Sequence, residues 1–144
     1  MKQEEKDLLL KDLCGRLTYG VKVKFGDSKP ALLTVIERDE FGWQIGSEDE
    51  FGGMITIIDN VKPYLFPLSS MTDELWDKEF MGCGITEFTR DSFKYGCETL
   101  EFNNSNPNLL SMVRFINQLI KNHFDIYGLI PMGLAIDATN KNIY

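Results

Sequence analysis

The stretch Lys62-Pro63-Tyr64-Leu65-Phe66-Pro67-Leu68-Ser69-Ser70-Met71-Thr72-Asp73-Glu74 constrains the architecture of this chain more than any other. Two prolines bracket an aromatic and aliphatic run, and proline interrupts a helix. A helix-start signal follows at once. Thr72 can cap, and Met71 and Trp76 stand where the two halves of a hydrophobic staple belong. The stretch therefore separates a strand-rich region, 1–68, from a mixed region, 69–144. It is a signal about architecture and says nothing of chemistry.

Upstream of it, Val21-Lys22-Val23-Lys24-Phe25 alternates strictly and predicts a strand with one wet and one dry face. Gly26 to Pro30 reads as a turn. Ala31 to Glu37 is more apolar and predicts a second strand covered on both faces. Asp39-Glu40-Phe41-Gly42 then recurs ten residues later as Asp49-Glu50-Phe51-Gly52. This spacing fits successive hairpin turns on either side of a short strand, Trp43 to Ser47. Two copies do not make a repeat architecture, which needs about three stacked units. Met54 to Ile58 predicts a fourth strand, ended by Asp59-Asn60.

Three helices are expected. Gln3 to Leu13 carries Glu4 and Glu5 at its positive end, Gly15 just past its other end, and Leu9, Leu10 and Leu13 on its buried stripe. A short helix follows Thr72 and ends by Gly82. The strongest signal is Pro107 to Asn122, with Asn106 as cap, proline in the first turn, and Leu109, Met112, Val113, Ile116, Leu119 and Ile120 as the apolar stripe. Ile85–Thr89 and Cys97–Phe102 look like the strands of a hairpin. Gly128 to Ile136 is apolar but broken by Pro131 and Gly133, and reads as an extended arm with a frayed polar tail from Thr139.

Hydrophobic content of 43% and charged content of 26% are those of a globular protein. The start, Met1-Lys2-Gln3-Glu4-Glu5-Lys6, is charged, and Leu8-Leu9-Leu10 is too short for a signal peptide. No apolar run reaches membrane length. A cytoplasmic protein that does not enter membranes is expected. Cys14, Cys83 and Cys97 are widely spaced without a CxxC pair, so reduced thiols are expected and neither a metal nor another cofactor is implied.

The net charge is -7, and the acids cluster. Glu37, Asp39, Glu40, Glu48, Asp49 and Glu50 face one base, Arg38, within a short span. Such a surface repels polyanions, so direct nucleic-acid binding is disfavoured. If both echoed turns lay at one end of the sheet, Asp39, Glu40, Asp49 and Glu50 would form an acidic rim around Phe41 and Phe51, suited to a basic protein partner. Alternatively, both rings turn inward as hairpin plugs and the acids only keep the protein soluble.

No P-loop, dinucleotide fingerprint, zincin motif or nucleophile elbow is present, and no catalytic residue is assigned. His123, the single histidine, stands two residues before Asp125 and invites a base-and-orienter reading, alone or with a cysteine. Its place at a helix end instead suggests that His123 and Asp125 stabilise the junction between helix and arm.

Leu8-Leu9-Leu10-Lys11-Asp12-Leu13-Cys14 with Tyr19-Gly20-Val21, the Lys62-Pro63-Tyr64-Leu65 and Pro67-to-Thr72 segment, and His123-Phe124-Asp125 with Gly128-Leu129-Ile130 and Gly133 to Ile136 carry a resemblance. In these segments the chain resembles a family of uncharacterised proteins from gut Bacteroides-type bacteria and their phages and prophages. That family often has arginine where Phe66 stands and Tyr-Arg where Ile126-Tyr127 stand. The resemblance implies a phage or mobile-element setting and carries no activity.

The expected fold is α+β in a single domain, 1–144. The N-terminal helix leads into a strand order resembling an Sm-like small barrel, or else into an open, strongly bent antiparallel sheet backed by the long helix. A short helix, a hairpin, the long amphipathic helix and the arm follow. The expected function is that of a non-enzymatic accessory protein binding another protein. The alternative is a small hydrolase or transferase using His123 with Asp125 or a cysteine.

Overall fold

The computed structural model describes residues 1–47, 53–95, 100–101 and 109–144. Its fold is α+β, and the chain divides into two compact units. One is Met1–Leu65 with Tyr127–Tyr144; the other is Phe66–Ile126.

The first unit opens with α1 (Gln3–Arg16). Glu5 reaches back to accept the Lys2 backbone N–H at 2.8 Å, which satisfies one of the donors a helix start leaves over. Leu9 and Leu13 are fully buried, as the stripe requires. The helix does not stop at Gly15. It continues to Arg16 and passes through a 3-10 turn, Leu17–Tyr19, to Gly20, whose φ of 70° ends it. The cause is a buried ion pair one turn apart. Arg16 donates to both carboxylate oxygens of Asp12, at 2.8 and 2.7 Å.

Seven strands are found among the described residues: β1 (Lys22–Phe25), β2 (Ala31–Leu32), β3 (Val35–Asp39), β4 (Gly42–Ser47), β5 (Met54–Ile57), β6 (Val61–Leu65) and β7 (Ile136–Asp137). They form two sheets, ordered β2-β1-β6-β7 and β3-β4-β5. All pairings are antiparallel except the parallel β6–β7. The strand expected at 31–37 is broken in two. Leu33 donates its N–H to Val21 and Thr34 donates its N–H to Gly46, so the chain passes from one sheet to the other at this dipeptide. The expected cover on both faces is also absent from β3, whose Glu37, Arg38 and Asp39 are exposed.

The barrel does not close. β5 is followed by a 3-10 turn, Ile58–Asn60, and β6 then pairs with β1, so an open pair of sheets forms. The helix sharing their core is α1. Leu9 and Leu13 cluster with Val23, Ile45, Leu65 and Leu129. Pro63 fits inside β6 because β7 reaches only Tyr64 and Leu65.

The arm is held by this unit. Leu129 is fully buried, and Leu134, Ala135 and Ala138 are nearly so. The tail is not frayed. The Tyr144 hydroxyl donates to the Tyr64 carbonyl at 2.7 Å and accepts the Lys22 N–H at 3.1 Å. Burial pushes this phenol from 10.0 up to about 12, against a smaller opposing pull from the Lys22 backbone bond. A raised folded pKa means that unfolding releases the proton more readily. The contribution is therefore complete below about pH 10 and lost as pH rises through about 12. Tyr144→Phe is expected to cost about 1–2 kcal/mol at neutral pH, because two backbone groups lose their partner. Urea midpoints should fall between about pH 10 and 12 in the wild type and fall less in the variant. Equal pH profiles would refute this account.

The second unit contains α2 (Asp73–Glu79), α3 (Glu87–Lys94) and α4 (Leu109–Lys121) among its described residues. α2 starts as read: Thr72 Oγ1 accepts the Leu75 N–H at 3.2 Å, and Met71 and Trp76 are both buried. It ends before a 3-10 turn, Met81–Cys83, and a left-handed Gly84. The core is aromatic. Trp76 stacks on Phe80 at 5.6 Å, and Phe115 meets both edge-on at 6.1 and 5.5 Å.

Two expectations fail here. The segment read as a strand at Ile85–Thr89 turns into α3, because Thr89, Ser92 and Phe93 bury at helical spacing. Cys97 and most of the second expected strand lie outside the described residues, as do Asn106 and Pro107. On α4 the stripe is rotated. Phe115 and Leu119 are buried, whereas Leu109, Val113 and Ile116 are exposed.

Candidate functional site

Asp39 and Gly42 pair directly, leaving Glu40 and Phe41 as the two-residue turn between β3 and β4. Asp39 Oδ1 accepts the Phe41 backbone N–H at 2.8 Å, an aspartate turn that sets the corner. Gly42 has φ of 123°, a conformation that suits glycine. These local rules leave the Phe41 ring 80% exposed rather than folded inward.

Beside it lies a cleft of about 360 Å³, lined by Lys6, Arg38, Phe41, Trp43, Ile57 and Asp59 among others. Lys6 pairs with Asp59 at 2.6 Å, and this hydrogen bond is the main reason that the Asp59 carboxyl lies below its ordinary range. The Arg38 guanidinium lies 5.9 Å from the centre of the Trp43 ring. The cleft therefore has aromatic walls with its cations already engaged.

The structure brings Asp39, Glu40 and Phe41 together. Asp49, Glu50 and Phe51 lie outside the described residues.

His123 and Asp125 lie in the second unit, with 8% and 6% exposure. His123 stands at φ 61°, just past α4. Phe124 donates its N–H to Leu119 and His123 donates its own to Ile120, the paired bonds of a Schellman cap, with histidine where glycine is usual. The His123 carbonyl accepts the Phe66 N–H, and Asp125 donates its N–H to the Phe66 carbonyl. The pair thus fixes the end of the long helix to the Phe66 strand segment. Desolvation raises the thiols of Cys14 and Cys83, opposite to the shift that activates a nucleophile. Among the described residues, no group of three or more His, Cys, Asp or Glu side chains is placed to hold a metal ion. No helix among them is long and apolar enough to cross a membrane.

One surface escaped the sequence reading. Register places Val35, Gly46 and Ile55 in one row across the second sheet, and Glu37, Gln44 and Ile57 in the next. Ile55 is 58% and Ile57 43% exposed, so the outer face carries aliphatic residues where an uncovered antiparallel sheet is ordinarily polar. Its signal was present in the β-branched run Ile55-Thr56-Ile57, but alternation alone does not say which face is wet. Comparison with protein-family models, curated proteins and solved structures found no match to this chain.

Proposed function

We propose that this chain is a non-enzymatic accessory protein that binds a basic protein partner through the Asp39-Glu40-Phe41 turn. The observation that carries this reading is the Phe41 ring, held outward by its own turn and flanked by two exposed acids. Exposed aromatics supply affinity, and surrounding charge supplies encounter rate and specificity. The net charge of -7 favours a cationic partner over a polyanion. Burial of the His123 and Asp125 side chains weighs against the hydrolase or transferase alternative, since a general base must reach its substrate. A phage or mobile-element setting follows from the family resemblance.

The test is affinity capture from a Bacteroides-type host extract with wild type and Phe41→Ala side by side. The variant should keep its melting temperature, with a stability change of about 0.5 kcal/mol or less, because the ring touches little. It should lose most of the captured basic partner, and added salt should slow association. Equal capture by both proteins would sink the proposal.

A further inference from the structure

Among the described residues, none covers the outer face of the β3-β4-β5 sheet, where Ile55 and Ile57 are exposed, and its side chains are sorted by type. The aliphatic residues Ile55 and Ile57 lie along β5. Glu37 and Asp39, both exposed, lie along β3. Glycine at position 46 lets the neighbours close over it: a Cβ there would stand 3.3 Å from both Val35 Cβ and Ile55 Cγ1. Val35 and Ile55 thereby flank Gly46 in one apolar row. Strand alternation sends Arg38 to the opposite face, beside Trp43, so among the described strand residues this face has two acids and no base.

A sheet that carries apolar residues on both faces is stabilised when a second layer covers them, and the usual cover is a helix. We infer that this face docks an amphipathic helix of the basic partner. The apolar stripe of that helix would lie on Val35, Ile55 and Ile57, and its lysine or arginine flank would lie along Glu37 and Asp39. Charge decides the occupant. A second copy of this chain would bring another net -7 to an acidic face, whereas a basic helix neutralises it. This inference rests on the protein-binding reading and names the chemistry of the partner.

The probe is a synthetic amphipathic peptide of leucine and lysine, about 18 residues long, enough for five helical turns. A scrambled peptide of the same composition and a leucine–glutamate counterpart serve as controls. Titration calorimetry and amide NMR mapping should show binding of the amphipathic basic peptide alone, with shifts centred on Val35, Gln44, Ile55 and Ile57. Ile55→Ser should weaken it by about tenfold or more, and Glu37→Lys with Asp39→Lys should transfer preference to the acidic peptide. Circular dichroism of each variant verifies the fold.

Equal binding of the scrambled peptide would reduce the effect to charge alone and overturn the inference. So would self-association of the free chain that Ile55→Ser abolishes, since the occupant would then be a second copy. If Phe41→Ala loses the captured partner while Ile55→Ser retains both partner and peptide, the docking face falls and the turn reading stands. If Ile55→Ser loses both and Phe41→Ala loses neither, the face stands and the turn does not.

Discussion

Arg16→Met is expected to destabilise the chain by about 3–5 kcal/mol, the largest effect of any single change in the first unit. The Arg16 side chain is 0% exposed and that of Asp12 is 1%. Their two short bonds match a guanidinium fork to a carboxylate, the strongest geometry available to an ion pair. Methionine fills much of the same volume, so the loss would come from a carboxylate left buried without its bidentate partner, not from a cavity. The double variant Asp12→Leu with Arg16→Met separates these causes. Removing both charges should recover most of the loss, because well-packed apolar residues replace a buried ion pair at little net cost. Urea unfolding followed by circular dichroism reads all three proteins. If the double variant is as unstable as the single one, packing and not the lost ion pair governs this site.

Phe115→Ala should cost about 3–5 kcal/mol, lowering the melting temperature by roughly 10 °C or more. Phe115 is fully buried and touches Trp76 and Phe80 edge-on and Phe93 at 6.2 Å. Truncation removes the ring around which three others are arranged, and its neighbours cannot collapse without losing their own contacts. Ile116→Ala, one residue on, should cost under about 1 kcal/mol because Ile116 is exposed. Differential scanning calorimetry of the two variants compares the faces of one helix. A larger loss at Ile116 than at Phe115 would restore the face expected from the sequence.

That reversal on α4 shows how far the sequence could be read. Apolar residues run around much of the helix, so periodicity established a helix without establishing its buried side. Phe115 wins the core because three other rings converge on it from α2, from the residue just past it and from α3, all distant in sequence. The same limit applied at Ile85–Thr89, where too few residues distinguished a period of 2 from one of 3.6. The candidate site divides in the same way. The Asp39-Glu40-Phe41-Gly42 turn was legible because its aspartate, its glycine and the direct pairing of Asp39 with Gly42 act within four residues. The outer sheet face was not, because Val35, Ile55 and Ile57 come together only through the register of three strands.

By itself the sequence determined the features that neighbours within a turn impose. These are the Thr72 cap and its staple, the alternation of Val23 and Phe25 with Lys22 and Lys24, the position of the hairpin corner at Glu40 and Phe41, and the broken apolar arm. The tertiary structure decided the passage between sheets at Leu33–Thr34, the open edge at β5, the burial of Arg16 with Asp12 and the anchoring of Tyr144. Caps and turns are satisfied by groups a few residues away, so local composition specifies them. Edges, faces and buried charges are satisfied only by groups far along the chain, and their energy exists only once the whole unit has packed.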